Sequence, residues 1–280
     1  MKIAIPGIKG SFHHIAATKF FGEKISINPC NSFEKVAELL ANNFVDAAVL
    51  AIENSVKGAV LSNYFLIDMN NLSIHGEIYL HETYHFMALK GQRIKDIKEV
   101  WSHPESLRHC EKFLRKHPHL KVVERKGSSI AASTIKEKKL KGVAAIANIE
   151  TAKIYGLEIL DKEIQTHISN TTRYFVLKKN RHHHPEDYLN NKASLKLVTE
   201  DEIGSLAEIL TILSDHHLNL SKIQSIPIVK QSWAYAIFLD LIFDNYTEYC
   251  KALLVIEKKV KELKILGEYP QNKVIFNQDN

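Results

Sequence analysis

The sequence is short of cysteine and has no long apolar run, and each shortage removes a class of protein. Its 280 residues include three cysteines, Cys30, Cys110 and Cys250. They lie far apart with no ligand spacing, which argues against a disulfide framework and fits reduced thiols in a cytoplasmic protein. No apolar stretch approaches the ~20 residues of a membrane-spanning helix, so no membrane partner is expected. The opening MKIAIPGIKG has only a few apolar residues before a glycine and reads as a first strand rather than a signal peptide. No like-charge block exceeds KEKKLKG (136–142), which reads as a solvated helix face, so no nucleic-acid partner is expected. The formal net charge of +5 is a mild excess, suited to an enzyme that attracts small anions.

What is present is the composition of a globular protein, 45% hydrophobic and 25% charged, long enough for one large or two ordinary domains. Up to about residue 178, short β-branched runs alternate with amphipathic stretches. The runs are KIAIP (2–6), KISIN (24–28), DAAVLAI (46–52), EVWS (99–102), KVVER (121–125), GVAAIA (142–147) and RYFVLK (173–178). Helical periodicity covers 11–22, 32–43 and 106–117, the last through Leu107, Cys110, Phe113 and Leu114. Strands alternating with helices predict an α/β fold with largely parallel sheets. A polar stretch with a proline and a triple histidine (182–184) breaks the pattern and reads as a linker. Beyond it come strand, helix, two strands joined at Lys230–Ser232, helix and strand, the β-α-β-β-α-β order of a ferredoxin-like domain. The expected division is 1–180, a linker at 181–191, and 192–275.

Residues 81–85 read HETYH, the spelling of a zinc-peptidase motif. On a helix the two histidines would stand one turn apart, about 6 Å along the axis. The surrounding LSIHGEIYLHETYHFMALKG (72–91) is rich in Ile, Tyr and Phe that partly alternate, and it reads as a strand. There, residues four apart are about 13 Å apart, too far to chelate one zinc. No metal site is expected.

Four clusters carry better candidates. PGIKGSF (6–12) places a glycine turn before a helix beginning near Ser11, whose free N–H groups suit a carboxylate. AIENSVKG (51–58) sets Glu53, Asn54 and Ser55 at the C-terminal end of a strand, where open α/β sheets bind ligands; helix capping is the alternative. KGSSIAAS (126–133) offers Ser128 as a helix cap with the same anion logic. SNTTRYFVL (169–177) brings Asn170, Thr172, Arg173 and Tyr174 into a strand, with a hydroxyl donor and a guanidinium fork.

In this order the clusters resemble the prephenate dehydratase family over nearly the whole chain. The Thr-Arg-Phe signature is matched by Thr172-Arg173-Tyr174, with a tyrosine at the signature phenylalanine. Gly7, Gly10, Ser11 and Phe12 match the opening, Glu53, Asn54, Ser55 and Gly58 the next motif, and HPESLRHC (103–110) the His-Pro segment. The resemblance implies a two-lobed, periplasmic-binding-protein-like catalytic domain followed by an ACT regulatory domain. In the latter, Gly204, Ser205, Leu206, Asn219, Gln224, Ser225 and Ile226 would hold an amino-acid effector, by resemblance L-phenylalanine. Gln224 and Ile226 stand where that pattern has a glutamate and an arginine, so two of its charged groups are missing. The resemblance further implies a homodimer or homotetramer, no cofactor, and a chain without a fused chorismate mutase.

The implied reaction removes water and CO₂ from prephenate to give phenylpyruvate, on the route to L-phenylalanine. Aromatisation supplies the driving force, and the enzyme must supply a proton for the leaving hydroxide. Thr172 is expected to donate or relay it, although a threonine hydroxyl is a poor acid without polarising neighbours. Arg173 is expected to hold a carboxylate, with Ser11, Glu53, Asn54, Ser55, Ser128, Asn170 and Tyr174 binding substrate. Arogenate dehydration and non-catalytic amino-acid sensing are the competing readings. Incubation with a strong chelator is expected to leave phenylpyruvate formation unchanged; loss of activity, restored by zinc, would reinstate the metal reading of HETYH.

Overall fold

A computed structural model of the chain describes residues 1–179, 189–228 and 234–272. The triple histidine, most of the expected linker and the Lys230–Ser232 turn lie outside the described residues. The chain divides into two compact units, Met1–Asn63 with Ile78–Tyr174, and Tyr64–Glu77 with Phe175 onward.

The chain opens with β1 (Lys2–Pro6), α1 (Phe12–Phe21), β2 (Ser26–Cys30), α2 (Phe33–Ala41) and β3 (Ala47–Asn54). β1 runs parallel to both β2 and β3. The Ser32 hydroxyl caps α2 by accepting from the Lys35 N–H at 3.2 Å, and Val36, Ala37 and Leu40 bury one face of that helix. β2 begins later than the KISIN pattern because Ser26 pairs with Lys2 and Cys30 with Pro6, so β1 sets the register. The chain continues through β4 (Gly58–Ala59), α3 (Leu61–Met69), β5 (Ser73–His81) and β6 (His85–Ala88). Next come β7 (Glu99–Ser102), α4 (Pro104–His109), α5 (Glu111–Lys116) and β8 (Lys121–Glu124). α6 (Ser128–Glu137), β9 (Val143–Ala147), α7 (Ile149–Tyr155), β10 (Glu158–Asp161) and β11 (Thr171–Lys178) complete this part.

Two sheets result, ordered β2-β1-β3-β11-β5 and β10-β6-β9-β7-β8. The second mixes parallel pairs, β7 with β8 and β9, with antiparallel pairs, β6 with β9 and β10. Phe86, Val100, Leu107, Phe113 and Ile146 form one apolar cluster of this lobe; Met87, Ala132, Ile135, Ala145 and Leu157 form another. Burial of each Val, Leu, Ile, Met or Phe among them contributes about 1.5–3 kcal/mol.

Two expectations are corrected here. The segment 72–91 is not one strand: β5 ends at His81, β6 starts at His85, and the two strands belong to different sheets. HETYH is the corner between them, neither zinc helix nor continuous strand. Nor is 106–117 one helix. His103 caps α4 from its Nδ1, with Pro104 in the first turn, and the backbone leaves helical geometry at Cys110. There the Thr166 N–H donates to the His109 carbonyl at 2.6 Å, and the Lys112 N–H donates to Thr166 Oγ1 at 3.2 Å. A residue more than fifty positions away takes hydrogen bonds that a continuous helix would keep for itself.

In the second unit β12 (Lys192–Thr199), α8 (Ser205–Asp215), β13 (Asn219–Pro227), β14 (Tyr235–Ile242), α9 (Tyr246–Ile256) and β15 (Val260–Tyr269) follow in order. The sheet order is β13-β14-β12-β15, with β12 antiparallel to β14 and β15, and β13 antiparallel to β14. That is the ferredoxin-like arrangement. Leu195, Leu197, Ile209, Leu213, Leu239, Leu241, Tyr249 and Ile256 form its core. The same unit takes in residues 64–77. Lys192 donates to both oxygens of Glu77 at 2.9 Å, and Lys196 and Lys264 reach Asp68 at 2.8 and 2.7 Å.

Gly267 marks a close approach inside this unit: a Cβ there would stand 2.1 Å from the Ile74 carbonyl oxygen. Gly267→Ala is expected to destabilise the protein by roughly 1–3 kcal/mol, read as a lower denaturant midpoint. An unchanged midpoint would show that the two strands separate without cost.

Candidate active site

A cavity of about 490 Å³ lies within the first unit, a size suited to a small ligand. Its wall is built from strand ends and helix starts. Gly7 and Gly10 adopt φ of 86° and 93°, conformations that glycine takes readily, and turn β1 into α1. The Gly10 carbonyl accepts from Asn148 Nδ2 and Thr151 Oγ1, both at 2.8 Å, which fixes the turn against α7. Ser11 then caps α1 by accepting from the His14 N–H at 3.2 Å. The first turns of α1, α2 and α6 all contribute to the lining, and their partial positive charge favours an anion.

Asn54 organises the cavity floor. It is buried, and its Nδ2 donates to Asn170 Oδ1 at 2.7 Å and to Thr172 Oγ1 at 2.8 Å. Its Oδ1 accepts from the Val56 and Lys57 N–H groups at 2.9 and 3.1 Å. This is a local side-chain turn rather than a helix cap. Ser55 accepts from the Thr171 N–H at 2.9 Å and donates to the Ser169 carbonyl at 3.0 Å. The Asn170 and Ser55 side chains therefore tie β3 to β11.

Of the expected residues, Ser11, Asn54, Ser128, Thr172 and Tyr174 line the cavity; Glu53, Ser55, Asn170 and Arg173 do not. Side chains alternate along a strand, so Thr172 and Tyr174 share the cavity face of β11 and Arg173 takes the opposite one. Arg173 is 4% exposed and lies 3.9 Å from Glu53. The guanidinium expected to hold a substrate carboxylate therefore stands behind the lining rather than on it. The cationic side chains on the lining are Lys57 and Lys126. Ser128 is also not a cap: Gly127 occupies that position. Its hydroxyl instead lies 2.8 Å from Ser106 and 3.0 Å from Ser102, whose own proton goes to the Ile146 carbonyl.

Several lining residues carry chemistry that the sequence reading passed over. His13 Nε2 accepts from the Ala51 N–H at 3.2 Å, and burial pulls its pKa down to about 3. His109, stacked on Tyr84, is lowered to about 4 by burial and then by Lys57, His167 and Arg108. Both imidazoles are neutral at pH 7. Lys57 contacts Glu105 and is lowered to about 8 by burial and Arg108, with Glu82 opposing. Glu82, from the HETYH corner, accepts from the Tyr84 phenol at 2.8 Å and the Tyr174 phenol at 2.9 Å. One sequence signal pointed to it: Ile74, Ile78 and Leu80 are buried at even positions, and Glu82 continues that series with a charge.

The prephenate dehydratase family model matches residues 3–182. A bifunctional chorismate mutase/prephenate dehydratase of Buchnera aphidicola is 34% identical over 96% of this chain and 70% of its own length. The chain belongs to the prephenate dehydratase family. Its reaction is the lyase reaction of that family, loss of water and CO₂ from prephenate to give phenylpyruvate. An Arabidopsis thaliana protein named arogenate dehydratase/prephenate dehydratase 2, chloroplastic, is 32% identical over 96% of this chain and 73% of its own length. Among solved structures, a prephenate dehydratase from Arthrobacter aurescens in complex with L-Phe gives a TM-score of 0.82 at 23% identity, covering 97% of this chain and 90% of that one. One described as a novel type of quorum-quenching acylase gives 0.86 at 22%, covering 97% and 98%. At such identities the likeness establishes a shared fold.

Asn54→Ala would release the Thr172 hydroxyl from its fixed donor. Turnover is expected to fall roughly tenfold, the equivalent of losing the bond to Thr172, and the melting temperature to drop as well, because Asn170 and the Val56 and Lys57 N–H groups lose their partner. Steady-state kinetics beside a thermal melt checks this, and wild-type turnover in the variant would remove Asn54 from the positioning role.

Proposed function

We propose that prephenate binds in this cavity with its carboxylates toward the helix N-termini, Lys57 and Lys126, and its ring hydroxyl at Thr172. The observation that carries this reading is the placement of the Thr172 hydroxyl on the cavity face, held at 2.8 Å by Asn54. Thr172 is the proton donor or relay for the departing hydroxide. Ser11, Asn54, Ser128 and Tyr174 surround the substrate. Glu53, Ser55, Asn170 and Arg173 act from behind the lining, by holding β3 and β11 in place.

The same proposal covers the organisation of the chain. Residues 1–180 carry catalysis, 181–191 link, and 192–275 form an ACT-type regulatory domain. Its ferredoxin-like order supports the assignment, as does Gly204, which opens α8 at a left-handed φ of 92°. Gly204, Ser205, Leu206, Asn219, Gln224, Ser225 and Ile226 form the effector region. There Gln224 donates to the Ser225 carbonyl and Ile226 is buried, so both stand as neutral side chains. The proposed effector is an aromatic amino acid such as L-phenylalanine, in a cytoplasmic homodimer or homotetramer. The bound L-Phe named for the Arthrobacter structure supports this. No helix among the described residues is long and apolar enough to cross a membrane.

Purified protein assayed at neutral pH with prephenate and with arogenate, with and without phenylalanine, tests the whole reading. Thr172→Ala is expected to lower turnover at least ~10²-fold with an intact fold. Near-normal phenylpyruvate formation by that variant would sink the assignment of Thr172.

A further inference from the structure

His13 stands in the first turn of α1 and lines the cavity. Its two ring nitrogens are not equivalent. Nε2 lies 3.2 Å from the Ala51 backbone nitrogen and accepts its hydrogen. A backbone N–H can only donate, so Nε2 must carry a lone pair, and in a neutral imidazole the proton then sits on Nδ1. Burial keeps the ring neutral by pulling its pKa down to about 3. The ring meets that of Tyr174 edge to face, with centroids 5.0 Å apart and planes at 88°, and it tilts against Phe33 at 6.0 Å. The backbone of β3 thus fixes the tautomer, and two aromatic neighbours fix the plane. Nδ1–H has no hydrogen-bond partner among the described residues. A donor left open on a cavity wall is a donor for what enters the cavity.

We propose that His13 is a specificity-determining residue for this reaction, whose Nδ1–H donates to the keto oxygen of the prephenate side chain and disfavours the ammonium that arogenate carries at that position. The inference rests on the dehydratase reading given above. Its place in the cavity fits. His13 packs on Tyr174, which lies two residues beyond Thr172 on the same face of β11, about 7 Å along the strand. With the ring hydroxyl of the substrate at Thr172, the His13 side of the cavity meets the opposite end of the ring, where the side chain is attached.

Charge decides which group at that end takes the imidazole. The carboxylates are matched by the helix starts and by Lys57 and Lys126. The keto oxygen is a neutral acceptor, and a neutral donor is its match. A keto oxygen accepts and cannot donate, whereas an ammonium donates and cannot accept. Set against Nδ1–H, an ammonium would bring hydrogens together and leave donors unpaired on both sides. The ring cannot adapt at low cost. Moving its proton to Nε2 sets that proton against the Ala51 N–H, and flipping the ring gives up the Ala51 bond. The keto group itself is unchanged by loss of water and CO₂. Its hydrogen bond is therefore as strong in the substrate complex as in the transition state, and its contribution falls on KM rather than kcat.

The test uses the purified full chain, with kcat and KM measured for prephenate and for arogenate. His13→Gln keeps an amide oxygen in reach of the Ala51 N–H and removes the ring Nδ1–H. KM for prephenate should rise ~10-fold with kcat within about twofold, the size of one uncharged hydrogen bond. KM for arogenate should stay level or fall, so that the preference for prephenate drops at least ~10-fold. Where arogenate is not turned over, its inhibition constant against prephenate takes the place of KM. Nitrogen-15 NMR of the histidine-labelled wild type serves if the variant does not fold. It should show the proton of His13 on Nδ1, and that proton should move downfield when phenylpyruvate is added. An unchanged KM for prephenate, equal losses on both substrates, a loss confined to kcat, or a proton found on Nε2 overturns the inference while leaving the dehydratase reading intact. So does a wild type that prefers arogenate. A wild type inactive on both substrates overturns both.

Discussion

The alternation of side chains along β11 governs this active site. Two residues apart, Thr172 and Tyr174 face the cavity, and Arg173 between them faces away. No rotamer change moves a buried guanidinium through a sheet, so the strand itself keeps the hydroxyls and the cation on opposite faces. The flanking strand end then does the positioning. Asn54, at the end of β3, uses one amide nitrogen for both Asn170 and Thr172 and its oxygen for two backbone donors. A residue with this many partners has little rotameric freedom, and neither does the hydroxyl it holds.

Polarity in the rest of the cavity follows from what is charged and what is not. The buried imidazoles of His13 and His109 are held neutral, His13 by burial and His109 by burial together with Lys57, His167 and Arg108. Positive potential therefore comes from the helix starts and from Lys57 and Lys126 on the lining. That arrangement suits a dianion whose carboxylates must be bound while its hydroxyl meets a proton donor.

Much of this was legible in the sequence because it is local. Strand ends followed by polar residues, a glycine turn before Ser11 and alternating apolar runs all reflect short-range chemistry, and the ferredoxin-like order of the second unit is a matter of element sequence. The failures share a cause as well. Thr172 and Arg173 are neighbours in sequence and so looked like partners, but adjacency on a strand means opposite faces. Thr166 breaks the 106–117 helix from more than fifty residues away, which no window on that helix can see. At HETYH the even-position apolar series runs on through Glu82 and Tyr84 into Phe86, so the corner kept the signature of a strand.

That same continuity gives the corner its chemical interest. A carboxyl in an apolar series is a desolvation cost of a few kcal/mol if left unpaired. Two phenols offset it, and neither phenol titrates near neutrality, because burial and the carboxyl itself raise both well above their ordinary value.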